Sequence, residues 1–453
     1  MLSAPRLELS ARRRVDGALA LVFLGVATAA ALLVAGAVAM PMKTLLLVVG
    51  GATFVFLVTR IDLAILLVVA TAPLEGQFQA GVGGASPTKL AGYVCIAASL
   101  FAIVRGRRKL VFERGQALVL GILGIALLST AWADQLSPAL TTTTRYASFA
   151  AIYVIITQFG QDRMLQIRIA WTLAITCSIA AALGLYYYLH GNAQLATLPH
   201  AQQNDFAFIL ATSLPFIFFL LGQTLLLRPF LLGAIGLVSA AILLSLSRGA
   251  FLGLAAGFLV FVLTDRRRVQ VTLTAGAVAA VGVLLVIHSN PQRFHEALKL
   301  KQNVAQENVS TRFGAWSAAA RLASDHPLLG VGPGNFQFHY NQLTGQPLGT
   351  FTLTVAHNAL LDVAAELGLV AMCLLALYLV LAFARLTGTI HRGYGDAGFV
   401  RALRISLTIA IVSAMFLSEQ YFLPFWLIGG LAAAIWVDGQ RRDAERPALP
   451  APE

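Results

Sequence analysis

Apolar stretches long enough to cross a membrane recur along most of the chain. A bilayer-spanning helix needs roughly 17–25 predominantly apolar residues. This criterion predicts membrane segments at residues 17–38, 43–59, 61–73, 88–105, 115–132, 141–159, 168–189, 204–222, 229–245, 248–264, 270–288, 357–384, 404–418 and 421–437. Segment 61–73 could be half of a broken helix, and Ser245–Gly249 divides the apolar run 229–264. We therefore expect about twelve to fourteen transmembrane helices, with an even number favoured.

Composition supports this assignment. Hydrophobic residues make up 58% of the 453 residues and charged residues only 11%, whereas a soluble domain carries about 25% charged residues. The mean hydropathy is +0.78. The sequence therefore predicts an all-α polytopic integral membrane protein.

One long polar stretch, Ser289–Ala356, interrupts the apolar pattern. It divides the chain into an N-terminal transmembrane bundle (1–288), a large loop (289–356) and C-terminal transmembrane helices (357–438). Residues 439–453, rich in proline and charge, are expected to form a disordered cytoplasmic tail.

Basic residues set the predicted orientation, because cytoplasmic loops of membrane proteins carry an excess of Lys and Arg. If both termini are cytoplasmic, the inner loops hold the basic clusters at 12–14, 105–109, 266–268, 385–404 and 441–442. The polar loop then faces outward. The net charge of +12 is thus mainly a topology signal that favours contact with membrane lipids and not with nucleic acid.

Two arginines lie on the side of the membrane that normally carries few basic residues. Arg145 lies at the outer end of a predicted span and Arg248 in the outer turn Ser247–Gly249. They could simply reach lipid headgroups. Alternatively, their planar, permanently charged forks could hold a phosphorylated substrate, since guanidinium binds phosphate oxygens bidentately.

The polar loop predicts a helix capped by Ser310 or Thr311 and ending near Ser324, with Phe313, Trp316 and Ala320 on one packing face. Arg312 and Arg321 project from the same helix. A turn rich in glycine and proline, Asp325–Phe336, follows. Its backbone N–H groups could bind phosphate, but its spacing matches no phosphate-binding loop, so a purely structural turn is the alternative.

His357 stands where the loop returns to the membrane, followed by Asn358 and a helix carrying Asp362 and Glu366. A histidine at a helix start could cap the helix or lie at the interface. A neutral imidazole is also the usual proton acceptor near pH 7, and this one would lie beside the headgroup of a lipid-linked substrate. The sequence has no paired acidic, cysteine or His-Glu metal motif and no nucleotide-binding loop, so we expect no metal and no cofactor.

Several of these elements together resemble the O-antigen ligase and polymerase superfamily. They are Arg312–Trp316, His326–Phe336, the outer turn Ser247–Leu252, and His357-Asn358 with nine residues before Gly368. The last element is similar to that of the bacterial O-antigen ligases (WaaL type).

The resemblance implies a GT-C-like glycosyltransferase of the bacterial inner membrane, acting as a monomer. It would transfer undecaprenyl-diphosphate-linked O-antigen to a sugar hydroxyl of the lipid A–core oligosaccharide in the periplasm, with inversion and without metal. By position, His357 would be the catalytic base, and Arg145, Arg248 and Arg312 would bind the diphosphate. Secondary candidates are Arg321, His326, His339 and Asn358.

Two other functions stay open. An O-antigen polymerase would join two lipid-linked repeats, but such enzymes tend to present two large outer loops, and here only 289–356 is large. A lipid-linked glycan transporter or flippase would carry polar residues at mid-span and paired broken helices, whereas polar residues here gather at the outer ends of the spans.

Overall fold

The computed structural model describes residues 41–78, 86–106, 110–191, 195–264, 269–345 and 355–445. The described chain is helical. Its first helices are α1 Pro41–Thr59, α2 Ile61–Thr71, α3 Pro87–Val104, α4 Arg114–Ser129, α5 Leu136–Phe159, α6 Arg163–Leu189, α7 Gln203–Leu221 and α8 Arg228–Ser245. The remaining helices are α9 Arg248–Thr264, α10 Val269–Ser289, α11 Pro291–Asp325, α12 Phe336–Thr344, α13 Ala359–Arg392, α14 Ala397–Ala414 and α15 Leu423–Glu445.

Polar side chains set the starts of many of these helices. Glu113 forms a capping box at α4, accepting hydrogen bonds from the backbone N–H groups of Gly115 and Gln116. Asp162 caps α6 and Asp396 caps α14 in the same way. Because the first N–H groups of a helix lack partners within it, such caps fix where apolar segments begin.

Seven described helices are long and apolar enough to cross a membrane: α3, α4 with its 3₁₀ extension to Trp132, α6, α7, α8, α13 and α14. The helical stretches on either side of Arg60, Val49–Thr59 and Ile61–Gln77, pass this test only as a pair. If the pair is counted as one bent span, the number of candidate spans is eight. The protein is therefore an all-α multi-pass membrane protein. Every predicted apolar segment from 43–59 onward overlaps one described helix, whereas segment 17–38 lies outside the described residues.

The chain divides at Arg60, and α1 belongs to the smaller unit, 1–60. In the larger unit, α9 packs on α14, α15 on α5, and α11 on α13. A large apolar core centres on α6, α7 and α8, and a second on α4, α13 and α15. A third, small core joins α11 and α12 to the start of α13, and it fixes the polar segment against the bundle.

Helix α15 continues through Glu445, so residues 439–445 are helical and not part of a disordered tail as expected. Arg442 pairs with Asp438 one turn earlier at 2.7 Å, and Tyr394 donates a hydrogen bond to Asp443. These contacts, which composition alone does not indicate, extend the helix.

Candidate active site

The start of α13 is built by Asn358 and Gly368. The Asn358 side chain accepts hydrogen bonds from the N–H groups of Leu360 and Leu361, both at 3.1 Å, and donates to the Met415 carbonyl oxygen at 3.1 Å. Gly368 interrupts the helix with φ 89° and ψ 171°. The nine residues between them are therefore a short helix with a capped start and a kinked end. Asn358 is committed to this structural role.

The glycine-rich turn docks on that kink. Val331 N–H donates to the Ala365 carbonyl oxygen and Gly332 N–H to that of Glu366, both at 3.0 Å. A Cβ on Gly330 would lie 2.2 Å from the carbonyl carbon of Glu366, so the backbones touch. These N–H groups are used within the protein, which favours the structural alternative for this turn over a phosphate cradle.

We expect Gly368→Ala to destabilise the protein. Its φ of +89° lies in the left-handed region, and an added Cβ would stand 2.5 Å from the Leu328 carbonyl carbon. Backbone strain and overlap should cost about 2 kcal/mol or more. Thermal unfolding of the detergent-solubilised protein measures this. The control is Gly124→Ala, because Gly124 lies inside α4 and a Cβ added there would have nothing within 4 Å. Equal melting temperatures for the two variants would contradict the role of the kink.

The same turn also holds the start of α5, the helix that carries Arg145. Asn335, fully buried, accepts a hydrogen bond from Gln135 N–H at 2.8 Å and donates to the Gln135 carbonyl oxygen at 3.2 Å. A Cβ on Gly332 would lie 2.6 Å from Ala133. The turn thus links the start of α5 to the start of α13 and fixes their spacing.

His357 lies immediately before Asn358, the cap of α13, and its backbone is left-handed, with φ 54°. Left-handed backbone is uncommon for a residue other than glycine and costs on the order of 1–3 kcal/mol. Burial, and then the positive charge of Arg312, lower the pKa of His357 from 6.5 to about 4. The imidazole is therefore neutral at physiological pH and can accept a proton.

Arg312 on α11 lies within electrostatic range of His357, and Arg248 on α9 lies within electrostatic range of Arg312. Arg248 is the first residue of α9 and follows Leu246, which is also left-handed, with φ 51°. Leu246 and His357 are the two non-glycine residues with positive φ in the described part of the chain. Burial lowers the pKa of Arg312, and the charge of Arg248 lowers it further. Arg248 therefore acts electrostatically on Arg312, and Arg312 acts on His357.

Arg145 lies near Tyr421, an aromatic residue that the sequence pattern did not indicate. Its guanidinium carbon lies 6.0 Å from the ring centre of Tyr421. The Tyr421 hydroxyl donates to Glu366 Oε2 at 2.9 Å, so Tyr421 connects the arginine to the short helix that follows His357. Asp205 is within electrostatic range of Arg145.

Two buried carboxylate side chains, those of Asp362 and Glu366, lie on one face of the short helix that follows His357. Asp362 and Glu366 are four residues apart and are 0% and 1% exposed. Asp362 Oδ1 accepts from Ala356 N–H at 2.9 Å, and Oδ2 accepts from Gln420 Nε2 at 2.6 Å. The spacing of the carboxylates is visible in the sequence, but no local signal predicts Gln420 as the partner of Asp362.

The secondary candidates lie in different surroundings. His339 pairs with Asp134 at 3.1 Å. Burial lowers the pKa of His339, His326 lowers it further, and Asp134 opposes this. His326 follows the last residue of α11. The Arg321 side chain is 70% exposed and pairs with Asp325 on its own helix at 3.8 Å, an arrangement typical of a solvated surface pair.

Two expectations about α11 are wrong. The helix does not begin at Ser310 or Thr311, because Asn290 caps it at Pro291 and the polar residues that follow continue it. Its packing face is not that of Phe313 and Ala320, which are exposed. The helix instead buries Ala315, Ala319, Leu322 and Ala323, since small side chains let it approach α12 and α13 closely.

Acidic, histidine and cysteine side chains do not form a metal site in the described ranges: no group of three or more of them lies close enough to hold an ion. Whether the reaction needs a metal is a separate question, which a chelator experiment addresses directly.

Most residues of this site lie in a part of the chain that matches a known sequence family. Residues 233–376 match the family described as O-antigen ligase. The matched range contains the Arg248 turn, Arg312, the glycine-rich turn, His357-Asn358 and the kink at Gly368, whereas Arg145 precedes it. No curated protein matches the chain. The match covers about a third of the chain and is consistent with the O-antigen ligase and polymerase superfamily.

Proposed function

We propose that the protein is an O-antigen ligase. It would transfer a glycan from undecaprenyl diphosphate to a sugar hydroxyl of lipid A–core, at the periplasmic face of the bacterial inner membrane, and so complete lipopolysaccharide. The observation that carries this proposal is the position of His357, held in a left-handed conformation immediately before α13 and within electrostatic range of Arg312. A base next to a cationic site suits transfer from a diphosphate-linked donor.

The proposed reaction is a single displacement. The acceptor hydroxyl gives its proton to His357 while its oxygen attacks the anomeric carbon of the donor sugar. The bond from that carbon to the phosphate oxygen breaks, and undecaprenyl diphosphate leaves with the electron pair. Attack from the opposite face inverts the anomeric configuration. The imidazolium then releases its proton to water.

Arg145, Arg248 and Arg312 would hold the diphosphate and stabilise the charge that develops on it. Their positive charge has a second effect. Burial, and then the charge of Arg312, keep the pKa of His357 near 4. A diphosphate bound by the arginines offsets that charge and raises the pKa of His357, because a nearby negative charge favours the protonated imidazole. The donor would thereby strengthen the base that acts on it.

The proposal includes the orientation of the protein in the membrane and its fold. With both termini cytoplasmic and about twelve to fourteen spans in a GT-C-like arrangement, the segment 289–356 lies in the periplasm. The donor's diphosphate is already a leaving group, so neither metal nor cofactor is required. The enzyme would act as a monomer.

Reconstituted transfer tests the proposal. Purified protein in liposomes receives undecaprenyl-diphosphate glycan together with either lipid A–core or a second lipid-linked glycan as acceptor. We expect glycosylated lipid A–core and no lengthening of the lipid-linked glycan. Lengthening without product on lipid A–core would establish a polymerase instead. Movement of the donor between leaflets without any new glycosidic bond would indicate a flippase.

A further inference from the structure

The conformation of His357 needs support from its neighbours. A left-handed backbone at a residue other than glycine persists only when the surrounding structure holds it. On the C-terminal side, Asn358 provides this by capping α13 and binding the Met415 carbonyl oxygen. The N-terminal side depends on a different group.

That group is the carboxylate of Asp362. It accepts the N–H of Ala356, the residue before His357, at 2.9 Å. Ala356 and Asp362 are both 0% exposed. The hydrogen bond closes a tight loop that contains His357, so the backbone is fixed on both sides of the histidine.

Gln420 fixes the carboxylate in turn. Gln420 Nε2 donates to Asp362 Oδ2 at 2.6 Å. The backbone carbonyl oxygen of Gln420 accepts from Trp426 Nε1 at 3.0 Å. Gln420 Oε1 is buried and has no hydrogen-bond partner among the described residues. The one side-chain hydrogen bond of the Gln420 amide among the described residues is therefore the one that it donates to Asp362.

Asp362 acts on the backbone: one carboxylate oxygen accepts from Ala356 N–H and the other from Gln420 Nε2. We propose that Asp362, oriented by Gln420, is a positioning residue that holds the backbone before His357 and keeps the imidazole at the arginine site. This inference rests on the proposed function, because His357 is its catalytic base.

The test compares kcat and KM for the donor in reconstituted transfer, with rates normalised to folded protein. Asp362→Ala should lower kcat on the order of 100-fold, because small displacements of a catalytic group have effects of this size. The KM for the donor should stay within about twofold of the wild-type value, since the arginines are untouched. In Asp362→Asn, the remaining side-chain oxygen can still accept from Ala356 N–H. The new NH₂ group, however, faces the NH₂ group of Gln420, so the hydrogen bond between these two side chains is lost. The kcat of this variant should be about tenfold lower than that of the wild-type protein.

A swapped pair separates positioning from simple loss of stability. In Asp362→Asn with Gln420→Glu, the new carboxylate accepts from the new amide, and most of the kcat should return. The control is Asp325→Asn, at an aspartate whose side chain is 57% exposed, and its kcat should not change. Wild-type kcat in Asp362→Ala, or no recovery in the swapped pair, overturns the inference while the proposed function stands. Absence of transfer by the wild-type protein overturns the proposed function itself, and the inference with it.

Discussion

Replacing His357 with alanine is expected to lower the rate of glycan transfer by roughly 10²–10⁴-fold, the usual contribution of a general base. The imidazole is neutral because burial and Arg312 keep its pKa near 4, and the alanine side chain cannot take up the proton of the acceptor hydroxyl. The measurement is the kcat of reconstituted transfer to lipid A–core.

The matched control is His190→Ala. His190 is exposed and stacks on Tyr186 with ring centres 4.2 Å apart, so its removal deletes an imidazole elsewhere in the chain. Its kcat should stay at the wild-type value. Normal transfer by folded His357→Ala protein would show that another group is the base.

Arg248→Lys is expected to lower kcat/KM for the donor about tenfold, and Arg248→Ala about 10²–10³-fold. Lysine keeps the positive charge but lacks the planar fork that binds two phosphate oxygens at once. The difference between the two variants therefore separates charge from geometry.

Arg321→Lys serves as the control, because Arg321 is 70% exposed and pairs with Asp325 on the surface of α11. Its kcat/KM should be unchanged. Near-wild-type transfer by Arg248→Lys would argue against bidentate binding of the diphosphate at this position.

The fold could be predicted from hydropathy because most of the apolar segments are long, and the helix that each forms is determined locally. The break at Ser245–Gly249 was visible for the same reason, since polar residues and glycine end a helix. The start of α11 was not predicted, because the helix is polar on average and its cap, Asn290, lies 20 residues before the expected start.

The candidate site was only partly predictable. Arg145, Arg248 and His357 could be selected because they are ionisable groups at the ends of apolar spans, whereas Arg312 was selected through the family resemblance. The left-handed backbone at His357 depends on contacts with Asp362 and Asn358. Gln420 and Tyr421 contact the carboxylates from nearly sixty residues away, at separations of 58 and 55. No local pattern encodes such contacts.

The spacing between Asn358 and Gly368 gains a physical explanation. Asn358 caps the short helix, and Gly368 ends it where the backbone of Leu328 passes too closely for a side chain. The helix length therefore sets the distance from His357 to the docked turn. This accounts for the motif without a direct role for either residue in the chemistry.

The most direct test of the central claim is transfer by the reconstituted wild-type protein in the presence of a metal chelator. The donor is undecaprenyl-diphosphate glycan and the acceptor is lipid A–core. The base and the arginine site should suffice, so we expect glycosylated lipid A–core of inverted anomeric configuration at the same rate with and without chelator. Loss of product with chelator, and its return on adding a divalent metal, would contradict the account.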